Sequence, residues 1–184
     1  MQSKPLAYAG IGSRDSPPEV MDTMRGIAST LAQRQWLLRS GHAEGADTAF
    51  EEGCMSVKGA KEIYVPWQGF CKARHGVNDV YAIHVLKNHI DALSIAAEVH
   101  PNWKACGSSV QMLHTRNVYQ VLGLDLNSKA SMVICWTKDG NASGGTGQAI
   151  RLAERLSIPV FNLFKADALD KLQDHVYEVE CNTH

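Results

Sequence analysis

The chain has 184 residues, 45% hydrophobic and 20% charged, which suits one globular domain with a full core and leaves little room for two. Lys and Arg total 18 against 19 Asp and Glu, a formal net charge of -1, so no global field attracts a polyanion and a dedicated nucleic-acid binder would need a local basic patch. No apolar stretch approaches the roughly 20 residues that span a bilayer.

The opening MQSKPLAYAGIGSR, with one Lys and a short apolar run, reads as a first strand and not as a signal peptide. Cys54, Cys71, Cys106, Cys135 and Cys181 are odd in number, scattered and never spaced C-x-x-C, the pattern of reduced thiols. A cytoplasmic protein without a membrane partner is expected.

Leu6 to Ile11 predicts a first strand, ending at Gly12-Ser13-Arg14. Pro17-Pro18 suits the first turn of a helix whose apolar positions are Val20, Met24, Ile27, Ala28 and Leu31. Trp36 to Leu38 predicts a second strand, with Trp36 in the core. Ser40-Gly41 breaks it, and Ala46, Ala49, Phe50 and Gly53 mark one face of a second helix. Ile63 to Val65, closed by Pro66, is a third strand. The stretch from Trp67 to Leu126 is too long for one crossover and predicts two helices, over Tyr81–Val99 and Cys106–Leu122. Met132 to Trp136 is a fourth, all-apolar strand of the kind covered by helices on both faces. A helix with Ala149, Ile150, Ala153 and Leu156 inward, a fifth strand over Pro159–Leu163 and a final helix over Lys165–His175 complete the chain. Alternating strands and helices with short loops predict a Rossmann-like three-layer α/β/α domain, a single unit over the whole chain, with a mainly parallel sheet.

In such a sheet ligands bind outside the carboxyl ends of the strands, where strand order reverses. Three loops carry small and polar residues there. Gly10-Ile11-Gly12-Ser13-Arg14 allows close backbone approach and offers Ser13 and Arg14 to an anion. Ser40-Gly41-His42-Ala43-Glu44-Gly45-Ala46-Asp47 places a glycine-rich turn and two carboxylates at a helix start. Ser143-Gly144-Gly145-Thr146-Gly147-Gln148 exposes N–H groups at a helix amino end, which favour a phosphate. A glycine at any one such turn is equally explained by geometry, and Asp47 by helix capping. Arg116 and Asn117, inside a helix beside apolar Leu113 and Val121, reach either the pocket or solvent.

With these residues in view, the chain resembles the DprA/LOG-like (SLOG) superfamily of Rossmannoid domains over most of its length. Gly12-Ser13-Arg14 is similar to the GSR turn of DNA processing protein A (DprA), and Ser40 to Asp47 to its S-G-x-A-x-G-x-D segment. Arg116-Asn117 and Ser143-Gly144 are similar to its later RN and SG elements. Leu113-His114-Thr115-Arg116-Asn117 also resembles the H-x-R-K motif of the LOG phosphoribohydrolases, whose Arg lies at the ligand phosphate and scissile bond. His100-Pro101-Asn102-Trp103 and Trp136-Thr137-Lys138-Asp139-Gly140 resemble a small branch found often in phage genomes.

The resemblance implies a pocket for a nucleotide or nucleotide-derived ligand. Gly12, Ser13, Arg14, Ser40, Gly41, Asn117, Trp136, Gly144, Gly145, Thr146 and Gly147 would bind it, and Asp47, Glu44 and Arg116 would act on it. LOG enzymes cleave an N-glycosidic bond with the Glu of P-G-G-x-G-T-x-x-E; here that position falls near Ile150 or Arg151, so Glu44 or Asp47 would have to supply the carboxylate. A sensor or sequestering protein without turnover is the alternative.

DprA-like binding of single-stranded DNA is disfavoured, because the cations are scattered (Lys58, Lys61, Lys72, Arg74, Lys87, Lys104) and do not interleave with aromatic residues. Trp67 and Trp136, just past strands, are candidates to stack a base. The resemblance also implies self-association as a homodimer or higher homo-oligomer. No cofactor is expected. Neither is a metal, since the eight histidines show no H-E-x-x-H or other tight ligand spacing. No cysteine has an activating context.

Overall fold

The computed structural model describes residues 5–73 and 79–183; Arg74, one of the scattered cations, lies outside them. Strands and helices alternate in the expected order, with one more strand than expected and with the second strand shifted to include Ser40. Strand β1 (Ala7–Gly10) leads to helix α1 (Pro18–Gln33), and β2 (Leu37–Ser40) to α2 (Ala46–Ser56). Strands β3 (Lys61–Val65) and β4 (Val80–Ala82) precede α3 (His89–Val99) and α4 (Ser108–Leu122). Then come β5 (Met132–Cys135), α5 (Gly144–Arg155), β6 (Val160–Asn162) and α6 (Ala168–Thr183).

Among the described residues the strands form one six-stranded sheet in the order β4-β3-β2-β1-β5-β6, parallel at every pairing. Side chains alternate across it with the strand period of two. Tyr8, Leu38, Met132 and Ile134 face the layer of α1, α2 and α6, where Met24, Phe50 and Leu172 meet them. Ala9, Tyr64, Val133 and Cys135 face the layer of α3, α4 and α5, where Ala96, Val118 and Leu152 are buried. Both faces are covered, which explains why β1 and β5 read as unbroken apolar runs.

Two other elements differ from the expectation. Tyr81 lies in strand β4 and not in a helix, and α3 starts at His89. A three-residue edge strand is too short to show a period. It is held by pairing to β3 and by an aromatic stack in which Tyr64 lies 5.6 Å from Tyr81 and 5.5 Å from Tyr119 between ring centroids. Helix α6 runs past His175 to Thr183, because Val176 is buried and Glu180 accepts a hydrogen bond from the indole N–H of the buried Trp36 at 2.8 Å. No described helix is long and apolar enough to cross a membrane.

Candidate functional site

Strand order reverses at β1: the chain moves outward through β2, β3 and β4, then returns to place β5 on the other side of β1. The loops after β1 and β5 therefore diverge, and the crevice between them is where this architecture binds ligands. A cavity of about 740 Å³ lies there, within the roughly 300–1,000 Å³ typical of small-molecule sites.

Its first wall is the loop after β1. Ile11 N–H donates to Ile134 O at 3.1 Å and Ser13 N–H to Trp136 O at 3.2 Å, so pairing with the β5 side continues past the strand and fixes the loop. Ser13 Oγ accepts the N–H of Asp15 at 3.1 Å, and Ser16 Oγ donates to Ser13 O at 2.8 Å. Arg14 stands exposed at the rim.

The floor is the pair Asp47 and Arg116. Asp47, in the first turn of α2, is 2% exposed and accepts the N–H of Ala43 at 3.3 Å. Arg116 reaches down from α4 and donates to Gly41 O at 3.1 Å and Asn117 Oδ1 at 3.4 Å, with a guanidinium nitrogen 3.8 Å from Asp47 Oδ2. Its cation also lies 5.6 Å from the centroid of the Phe70 ring. Burial pushes the Asp47 carboxyl up, opposed by Arg116 and by the N–H groups of Ala43 and Gly12. Arg116 Nε is buried with no hydrogen-bond partner.

The opposite wall is the amino end of α5. Ser143, Gly144, Gly145 and Thr146 line the cavity, and Asn117 donates to Gly145 O at 3.0 Å, tying α4 to that helix start. The first-turn N–H groups of a helix lack intrahelical partners, so this end presents donors and a positive dipole.

The cavity thus gathers Gly12, Ser13, Arg14, Asp47, Arg116, Asn117, Gly144, Gly145 and Thr146 from the residues singled out in the sequence. Five others lie outside its lining. Ser40 is fully buried and donates to Gly10 O at 2.7 Å, clipping β2 to β1. Gly41 leaves room for the floor pair, since a Cβ there would sit 2.7 Å from Arg116 Cζ and 2.8 Å from Asp47 Oδ2. Glu44 is exposed. The indole of Trp136 is packed in the α1, α2 and α6 layer, and Gly147 is packed against the backbone of Ala142. Trp67 stands edge-on to Phe70, also off the lining.

The lining also includes residues given no role from the sequence, most of them inside the quoted motifs. Val110 and Leu113 give an apolar patch, Thr137 and Lys138 extend the wall after β5, and His100, Cys106 and His114 close one side. Burial, with His100 and the guanidinium groups of Arg151 and Arg116 nearby, lowers His114 to about 4. The LOG glutamate position carries no carboxylate, and Glu154, the acidic residue of α5, does not line the cavity. Ile150 is in the core, and Arg151 donates to Ala142 O at 2.9 Å.

No family model and no curated protein sequence matches the chain. Among solved structures it is similar to DNA processing protein A from Helicobacter pylori, a structure that describes a single-stranded DNA binding mode. The identity is 22% and the TM-score 0.54, over 92% of this chain and 72% of that one. A molybdenum cofactor carrier protein from Chlamydomonas reinhardtii is also similar, at 13% identity and a TM-score of 0.42, over 86% of this chain and 89% of that one. The doubly wound sheet and the similarity to DNA processing protein A agree with the motif resemblance: this chain has a DprA-like Rossmannoid fold.

Proposed function

We propose that the chain binds a small nucleotide or nucleotide-derived ligand in the cavity between the loops after β1 and β5. The observation that carries this reading is the convergence of three anion-attracting features on one open cavity: the Ser13-Arg14 loop, the amino end of α5 and a buried Arg116 with an unused N–H. The phosphate sits against Ser13 and Gly144 to Thr146. Asp47, held by Arg116, accepts from the sugar hydroxyls, and the patch of Val110 and Leu113 lies against the base.

The residue set supports binding more directly than cleavage. Of the carboxylates proposed to act, only Asp47 lines the cavity. Acting on a glycosidic bond it would have to give a proton to the departing base, whereas the sugar contact uses it as a charged acceptor beside Arg116. A binding role without turnover needs no such step.

The test is thermal melting against nucleoside mono- and diphosphates, cyclic and NAD-derived nucleotides and short single-stranded DNA. A ligand at 100 times its Kd adds about 2.7 kcal/mol, a shift on the order of 5–10 °C for a chain of this size. Stabilisation by one small nucleotide supports the reading, and chromatography of that mixture then shows whether free base accumulates. Stabilisation by DNA alone, with affinity falling about 10³-fold or more between 50 and 200 mM salt, overturns it in favour of a DprA-like interface.

A further inference from the structure

The connection between α3 and α4 folds back on itself. It carries His100 at the end of α3 and Cys106 just before α4, and both return to His114 in the second turn of α4. One possible ligand atom from each lies within 4.8 Å of the others. Cys106 Sγ is 3.8 Å from both ring nitrogens of His100, and the His100 and His114 ring centroids are 4.4 Å apart. His114 is 6% exposed, and its Nδ1 has no hydrogen-bond partner.

We propose that His100, Cys106 and His114 bind one zinc ion on the wall of the cavity, with the fourth coordination position open to it. In tetrahedral zinc the bond lengths put a sulfur and a nitrogen ligand about 3.6 Å apart and two nitrogens about 3.3 Å apart. The sulfur–His100 separation is already close to this, but a sulfur equidistant from both ring nitrogens lies off either lone-pair axis, so the His100 ring must turn and the three ligand atoms must close by about 1 Å or more. A thiolate with two imidazoles is a borderline-soft donor set that suits zinc over magnesium or calcium.

Binding forms one Zn–S and two Zn–N bonds, and the Cys106 thiol proton passes to solvent. His100 Nδ1 now accepts the Asn102 N–H at 3.2 Å, and the Cys106 S–H contacts Asn102 O at 3.6 Å. Coordination releases both, because a metal-bound neutral imidazole keeps no second lone pair and a thiolate no proton. Zinc and one thiolate leave a net charge of +1 beside Arg116, so the open position favours an anion: hydroxide or a phosphate oxygen. The absence of tight ligand spacing in the sequence hid this cluster, which comes from a turn and not from a helix repeat.

The site stands apart from the nucleotide reading, and its test uses no nucleotide. Tag-free, reduced full-length protein is dialysed against zinc and its metal content measured by mass spectrometry. Cobalt(II) loading is followed by absorption, where a thiolate ligand gives a charge-transfer band. About one zinc per chain is expected. His100→Ala and Cys106→Ser, at half-buried positions, should each weaken zinc affinity at least about a hundredfold without lowering the metal-free melting temperature. The cobalt band should vanish in Cys106→Ser. Zinc no higher than in the dialysis buffer, or zinc retained equally by both variants, overturns the proposal.

Discussion

Gly41 does not itself line the cavity, yet its lack of a side chain makes room for the Asp47–Arg116 pair that does. An alanine Cβ there would lie 2.7 Å from Arg116 Cζ and 2.8 Å from Asp47 Oδ2, and against the amide of the fully buried Gln120. Ordinary contact requires about 3.4 Å or more, so Arg116 and Asp47 must retreat by about 0.6–0.7 Å and the closer Gln120 amide further still. A retreat of that size carries Arg116 Nη1 from 3.1 Å to beyond hydrogen-bonding range of Gly41 O. Losing a charge-assisted bond costs about 1.5–3 kcal/mol, and overpacking costs about 1–3 kcal/mol. The two overlap, so Gly41→Ala is expected to lose about 2–4 kcal/mol in urea unfolding. It should lower Tm by roughly 4–16 °C, at 2–4 °C per kcal/mol. Gly145→Ala is the control, since no atom lies within 4 Å of its added Cβ. It should fold within about 0.5 kcal/mol of the parent, while its methyl group, at the amino end of α5, weakens any ligand that approaches that backbone. A loss under about 0.5 kcal/mol for Gly41→Ala would refute the claim that this glycine makes room for the Asp47–Arg116 pair.

Arg116→Met leaves Asp47 buried without its cation and is expected to lose about 3 kcal/mol or more, with the nucleotide-induced melting shift abolished. Adding Asp47→Asn to that variant should recover part of the stability but none of the ligand response, measured by the same unfolding and melting series. Glu51, whose side chain is 8% exposed beside His42 at 2.9 Å, is raised above its ordinary 4.5 by burial, against the pull of His42. The protonated form is favoured in the fold, so this contribution to stability is full below the unfolded value and is lost as pH rises through the folded one. Glu51→Gln should therefore flatten the stability curve from about pH 4.5 upward; an unchanged slope in urea titrations would show that Glu51 does not titrate abnormally.

Much of the fold is legible because its cause is local. Met24, Ala28 and Leu31 follow the helical period in α1, and the all-apolar runs of β1 and β5 announce a sheet covered on both faces. β4 was not legible, since three residues show no period and their reason for pairing is an aromatic stack with Tyr64. The end of α6 depended on Trp36, far earlier in the chain.

Within the site, the loops proposed to hold an anion were readable as glycine and serine clusters at strand ends. Their sorting was not: Ser40, Gly41 and Gly147 serve packing and hydrogen bonding, while Gly12, Gly144 and Gly145 line the cavity. Trp136 illustrates the limit, because a residue just past a strand can turn toward either layer, and the neighbours available in the α1, α2 and α6 layer decided which. The sequence by itself determined the alternation of strands and helices and the chemistry offered at the strand ends, because backbone preference and periodicity are local. Only the tertiary structure decided that Arg116 meets Asp47 and that His100, Cys106 and His114 come together. Those meetings depend on where α4 docks and how its preceding turn reverses, and both are set by packing between residues distant in the chain.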